Sequence, residues 1–552
     1  MSEERKVSRR GYVKYAAAGV VVAGAAAGAY YFTRPPAPPT TTTTATTVPT
    51  TAVTTPTIPN PNTIIYATDE PMVSLDPAWT VANTDYRETY LMYDRLVTYR
   101  GSSTTPEPML AKSYDISEDG LAYTFHLRDG VKFHDGTTLD ANAVVSSFLR
   151  ALKLGEQGGW AGTFIGIVDE EGVKAVDDYT VQFNLRERYA PFVPCLAVQA
   201  LGIVSPKVME HETEGDLGKA WLSQNEAGSG SFKLKEYVPN EKIVLSAVKD
   251  YWGGVPKIDE MIVQIITEPS TQRLMLETGE IDGAEDIPVI ALSELSKNPD
   301  IHVVDDPGFF ISFMILNTQK KLKDAKVRKA IAHAVDFDGI INDINFGRGT
   351  RLRSALPKGF PGADESIPLY DYDLDKTQVL LADAGYDKGL ELDMLIAPFE
   401  EWIKISTSLQ SSLAKVNVKL NIQQFAWPTY IEKLSHGDHD LALMGWTPDY
   451  ADPNMQVWFY FYSKNAGPGW NFAFYNNPKV DQLIIAGRSE TDMSKRLEMY
   501  SEIQKITVDE APYIWLYQGL GYGGLTLRSW VKGYVFNPLN AWFIPADTVY
   551  KA

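Results

Sequence analysis

The stretch LMGWTPDYADPN, residues 443–454, sets two carboxylates among two prolines, a Trp and a Tyr, directly after an apolar run. A carboxylate fixed in a stiff turn can meet a buried ammonium or cap a helix. Asp452 stands before Pro453, the pattern of an N-cap followed by proline in the first helical turn, and is expected to open a helix over 454–462. Pro448 and Pro453 limit how far the loop can relax, which pre-organises its acids and lowers the entropy cost of binding. Just upstream, His436 and His439 in SerHisGlyAspHisAsp could chelate nickel or zinc with Asp438 or Asp440. A polar loop ahead of a buried strand over 441–444 has the same composition, so no metal site is assigned.

Catalysis finds no candidate. Of the seven histidines, His126 and His134 flank an AspGlyVal turn and are expected on the faces of a hairpin. GlySerGlySer, residues 228–231, lacks the Lys-Ser/Thr pair and following helix of a phosphate loop, and reads as a turn before a strand over 232–234. There is no GxSxG elbow and no HExxH. The expectation is a protein that is not an enzyme and takes no cofactor.

The elements that must hold the acidic turn alternate irregularly. Strands are expected from Thr63, at 123–127, 180–185 and 242–247, and helices at 141–152, 325–342 and 493–508, giving a mixed α/β body. The chain has 552 residues and a net charge of −19. The body is more acidic still, because the first 62 residues carry six basic and two acidic side chains. Such a surface repels nucleic acid and anionic lipid. Cys195 is the only cysteine, which excludes an internal disulfide, a Cys-based zinc site and a lipid-modified N-terminal Cys.

Residues 1–34 form a separate module. SerArgArg at 8–10 followed by Gly11, Tyr12, Val13 and Lys14 resembles a twin-arginine export signal, with Tyr and Val in place of the commoner Phe and Leu. Residues 15–33 are uncharged and just long enough to span a bilayer if left uncut, whereas Ala25 and Ala27 could serve a cleavage site. The charge asymmetry puts the N-terminus inside and the remainder outside. Residues 35–62 make a Thr/Pro-rich stalk or linker that cannot pack a core. Between Pro35 and Pro61 it holds twelve threonines, eight prolines and no charge. The expected location is outside the cytoplasmic membrane, in the periplasm or at the cell surface, anchored by residues 15–33.

Several segments together resemble the extracytoplasmic solute-binding proteins of ABC importers, family 5, the class of dipeptide and oligopeptide binders. They are SerLeuAspProAla at 74–78, the run from Pro108 to Thr137, GlyGluIleAspGly at 279–283, LeuAsnThr at 316–318 ahead of 324–336, GlyTrpThrProAspTyrAlaAspPro at 445–453, and AsnAsnProLysValAspGlnLeuIle at 476–484. They occur in the family's order. One departure is GlySerGlySerPhe at 228–232, where members usually have GlyThrGlyProTyr.

The resemblance implies a two-lobed periplasmic-binding-protein-like fold (type II) with an additional α+β domain, closing over its ligand. The implied layout is discontinuous: lobe I from 63–95, 225–308 and 515–552, the extra domain from 96–224, and lobe II from 309–514. It also implies that Asp449 pairs with the ligand's α-amino group. A charge-assisted bond in a dry cleft is short and strong, so the chemistry fits. Gly445, Trp446, Thr447, Tyr450, Tyr86 and Trp470 are expected around it, with Arg351 or Arg353 for a peptide's carboxylate. The implied partners are a small peptide and the permease subunits of an importer, with the binding protein a monomer that takes no nucleic acid. The alternatives are an oligosaccharide, to which the aromatic-rich 458–462 would suit stacking, nickel, or a surface receptor working without a permease.

Overall fold

The structure is a computed structural model that describes residues 58–79, 83–520, 524–540 and 544–552. The twin-arginine-like segment, the apolar stretch 15–33 and the linker up to residue 57 lie outside the described residues. Among the described residues, no helix is long and apolar enough to cross a membrane.

Two large sheets dominate the described residues. The first has seven strands, in the order Ile301–Val303, Gly524–Arg528, Gly283–Ile287, Thr63–Thr68, Glu260–Ile265, Lys242–Ala247 and Phe232–Val238. Its centre is the parallel pair Thr63–Thr68 and Glu260–Ile265. The second has six, in the order Thr350–Arg351, Tyr513–Gly519, Phe310–Leu316, Leu441–Trp446, Leu390–Ile396 and Val418–Gln424. Phe310–Leu316 is buried at all seven positions, as a central strand covered on both faces must be. A third sheet of four antiparallel strands lies within residues 111–184.

The chain crosses from the first sheet to the second between Val303 and Phe310, and returns between Gly519 and Gly524. Tyr513–Gly519 pairs antiparallel with Phe310–Leu316, so the second sheet extends to Gly519, past the boundary expected at 515. The buried apolar side chains of the small sheet and the six-stranded sheet form one continuous cluster, whereas the seven-stranded sheet packs its own.

Local chemistry accounts for most boundaries. Asp140 caps the helix Ala141–Glu156 by accepting from the Ala143 N–H, and Asp492 caps Met493–Glu510. The helix expected over 325–342 is broken: Ala325–His333 ends at Ala334, and Asp336 caps a new turn, Phe337–Gly339, that continues as a wide turn over Ile340–Ile344. An Asp that can bond the backbone ahead of it competes with helix continuation, and here it wins.

The expected hairpin around His126 and His134 is also different. His126 lies on Ala122–Leu127, pairs with Asp115 at 2.9 Å, and its strand is flanked by Ala111–Ile116 and Thr180–Asn184. His134 sits in the loop beyond, against Glu226 and the Gly230 carbonyl.

Candidate functional site

Leu441–Trp446 delivers the acidic turn to one edge of the six-stranded sheet. Asp452 holds the turn in place. Its carboxylate takes two bonds from the Arg496 guanidinium, at 2.8 and 2.9 Å, while its Oδ1 also accepts from the Asn454 N–H. Both side chains are nearly fully buried. The expected N-cap at Asp452 is displaced by one residue, since the helix runs Asn454–Phe461 with Pro453 at its N-cap and no side-chain cap, and Asp452 instead makes a buried bidentate ion pair.

Asp449 is left for other work. Its backbone N–H reaches the Met455 sulfur, and the indoles of Trp160 and Trp446 favour its charged form. Its Oδ2 is buried with no hydrogen-bond partner. Burial, outweighing the two indoles, pushes the carboxyl up to about 7. Facing it from the helix Asn83–Met92 is Tyr86, whose hydroxyl is also buried without a partner and is pushed well above its ordinary value by burial and by the Asp449 charge. Asp449, Thr447, Tyr86, Tyr90, Tyr99 and Gln199 are among the walls of a cavity of about 30 Å³, room for a few waters. A buried carboxylate oxygen and hydroxyl without partners are costly, and N–H donors brought to them relieve that cost.

Next to Asp449 stands an aromatic cluster. Trp446 meets Trp470 edge-on at 4.9 Å and stacks near Phe459 at 5.9 Å. Trp160, from the segment 96–224, packs on all three at 6.1 to 6.4 Å. Trp160 is absent from the residues singled out by sequence. Its mark is an aromatic set among glycines, GlyGlyTrpAlaGly at 158–162. Tyr90, Tyr99 and Gln199 carried no comparable signal.

Of the expected site residues, Asp449, Thr447 and Tyr86 line the cavity, Gly445 and Trp446 precede Thr447 at the end of the strand Leu441–Trp446, and Trp470 packs on Trp446. Tyr450 is core: its hydroxyl lies 3.2 Å from that of Tyr189. Arg351 and Arg353 do not line this cavity. Arg351 lies over the Phe337 ring and donates to the Tyr370 carbonyl, and Arg353 donates to the Ile367 carbonyl beside Glu365. The histidine chelate is not assembled. His436 is exposed, whereas His439 is fully buried and held down to about 4 by burial, and Asp440 turns to Lys321.

The GlySerGlySer turn is explained by close approach. A Cβ on Gly228 would sit 1.8 Å from the Met92 carbonyl oxygen, and one on Gly230 would sit 2.2 Å from that of Leu91. Ser229 between them donates to Asp94. Neither glycine was expected for that reason.

An α/β body with a small cavity whose walls hold an unmatched carboxylate oxygen and an unmatched hydroxyl is suited to capturing a solute. The chain belongs to the bacterial extracellular solute-binding proteins, family 5, whose middle-region profile matches residues 105–468. It is 34% identical over 484 residues to the probable D,D-dipeptide-binding periplasmic protein DdpA of Escherichia coli K12, covering 87% of this chain and 92% of that one. The heme-binding protein A of Haemophilus influenzae is 30% identical over 500 residues, covering 87% and 91%. Among solved structures, the ABC transporter-associated periplasmic binding protein DppA of Helicobacter pylori, in complex with peptide STSA, superposes with a TM-score of 0.78 at 31% identity. That match covers 89% of this chain and 98% of the other. The family is one of solute-binding proteins acting outside the cytoplasmic membrane.

Proposed function

We propose that this protein captures short peptides outside the cell membrane by their α-amino end and delivers them to an ABC permease. One observation carries the reading: the Asp449 Oδ2 is buried without a partner, in a cavity it shares with the unmatched Tyr86 hydroxyl. A peptide ammonium supplies the missing donors and the opposite charge. The peptide-binding names of the similar proteins support the same ligand class.

In this reading the jaw has the seven-stranded sheet as lobe I and the six-stranded sheet as lobe II, hinged where the chain crosses between Val303 and Phe310. The segment 96–224, with Trp160, forms part of the closing surface. Residues 15–33 tether a monomeric body to the membrane and residues 35–62 give it reach.

The test is a thermal melt of the protein against peptides, their N-acetylated forms, oligosaccharides and divalent metals. A peptide at a hundred times its dissociation constant adds about 2.7 kcal/mol of stability. The reading expects free-amine peptides to raise Tm and acetylated ones to fail. A response confined to oligosaccharides or metals overturns it.

A further inference from the structure

Tyr86 and Asp449 are brought to the small cavity by different sheets. Tyr86 stands on the helix Asn83–Met92, whose Leu91 and Met92 pack with Ile64, Phe232, Ile243 and Met261 in the apolar cluster of the seven-stranded sheet. Asp449 stands in the turn after the strand Leu441–Trp446 of the six-stranded sheet. Both residues wall the same space of about 30 Å³.

Neither polar atom at this meeting is satisfied. Tyr86 is only 8% exposed, and its hydroxyl has no hydrogen-bond partner among the described residues; the same holds for the buried Asp449 Oδ2. Burial first, and the Asp449 charge second, lift the Tyr86 hydroxyl well above its ordinary range, so the two groups feel each other without bonding.

The gap between them is held from both sides. Asp85, next to Tyr86, accepts from the Val73 and Ser74 N–H groups at 2.7 and 3.2 Å. Arg87, on its other side, is paired with Glu88 and with Glu285 of the strand Gly283–Ile287. Across the cavity, Pro448 stiffens the turn and Arg496 grips Asp452. Neither wall is free to slide until hydroxyl and carboxylate meet.

A buried polar group left without a partner shifts the equilibrium that buries it by roughly five- to a hundred-fold. In an open jaw both atoms face water and the penalty is absent. In a jaw shut on a ligand with N–H donors it is cancelled. Only the shut, empty form bears it in full.

We propose that the Tyr86 hydroxyl is a check on empty closure: held opposite the Asp449 carboxylate and unable to reach it, it keeps the shut, ligand-free form rare. The inference rests on the peptide-capture reading above and adds to it what holds the empty protein open. Tyr86 then governs the balance between the two forms, and a permease that meets the shut form meets a loaded protein.

The experiment is single-molecule energy transfer in the full chain, between dyes on Lys233→Cys and Lys415→Cys. Lys233 lies on the strand Phe232–Val238 and Lys415 caps the helix Glu400–Ala414; both are exposed, while Cys195 is buried and stays unlabelled. Trialanine is the probe ligand. Wild-type protein is expected to be mostly open alone and to shut as trialanine is added. Without peptide, Tyr86→Phe is expected to raise the ratio of shut to open molecules about five-fold or more, since it removes the hydroxyl and keeps the ring. Asp449→Asn, whose amide can pair with that hydroxyl, raises the ratio too and reads the same effect if Tyr86→Phe does not fold. An unchanged ratio in a folded variant means that water already satisfies the gap, and it refutes the check while peptide capture stands. A wild type that is mostly shut without peptide refutes it as well. If trialanine leaves the wild-type distribution unmoved and acetylated or non-peptide ligands shut it instead, the capture reading fails and the check falls with it.

Discussion

At Asp449 two demands conflict, since the fold buries a carboxylate and leaves one of its oxygens without a partner. Burial lifts its pKa to about 7, against roughly 3.9 in an unfolded chain. A raised acid favours the folded state fully below the unfolded value, and that advantage fades as pH rises from about 4 through 7. Asp449→Asn is therefore expected to gain stability over wild type at pH 8, by no more than on the order of 4 kcal/mol, and none at pH 4. Urea denaturation at the two pH values checks it, and an equal difference at both defeats the argument. Binding runs the other way. An ammonium needs the ionised acid, so peptide affinity should strengthen from pH 5 to 7 with proton release at Asp449, and Asp449→Asn should lose about 100-fold or more at pH 7. Calorimetry in buffers of differing ionisation heat reads both. The turn and its acid were legible in the sequence because prolines, aspartates and an apolar run sit within twelve residues. The placing of Arg351 and Arg353 was not legible, because a side chain's direction depends on partners far along the chain, here Phe337, Tyr370 and Ile367.

Between elements, the acidic turn is held by a helix about forty residues away. Arg496 ties Asp452 to Met493–Glu510 and also donates to the Gly487 carbonyl at 2.8 Å. Arg496→Met strands a buried carboxylate and should cost roughly 3–5 kcal/mol, with peptide affinity falling because the turn loosens. Adding Asp452→Asn should restore part of that stability, and additive losses in the double variant would refute the coupling. A second joint lies where Gly228 and Gly230 let the end of Asn83–Met92 touch the strand Phe232–Val238. Gly228→Ala should cost about 3 kcal/mol or more, because the clash is with backbone carbonyl and not with a side chain that can swing away. Chemical denaturation measures it. Strands and the capped helices were readable, since period-2 runs and Asp caps are local signals. The break after His333 was not, because the apolar spacing continues through Ala334, Val335 and Ile340 while the backbone follows Asp336.

Across the whole molecule, the segment 96–224 belongs energetically with the six-stranded sheet, since one apolar core runs through both. Polar ties cross the same boundary: Tyr99 accepts from the Ala451 N–H at 3.1 Å, and the Ala190 N–H donates to the Arg488 carbonyl at 2.7 Å. Trp160 is the part of this boundary that reaches the anchor, because its indole favours the charged form of Asp449 while its ring covers Trp446, Phe459 and Trp470. The two contributions separate by substitution. Trp160→Phe keeps an aromatic face and removes the N–H, so Asp449 should titrate higher, and the pH at which peptide binding reaches half its maximum should move up from the wild-type value. Affinity at pH 7 should fall about 10-fold. Trp160→Ala removes the ring as well and opens the aromatic cluster, which should add a further loss of roughly ten-fold, mostly as faster dissociation, since an interface that has already formed is usually lost through the off-rate. Stopped-flow release of a labelled peptide, followed from pH 5 to 8, distinguishes these outcomes. If Trp160→Phe weakens binding with no movement of the pH midpoint, Trp160 acts by shape alone; if both variants bind and release peptide as the wild type does, the segment 96–224 takes no part in closing the site.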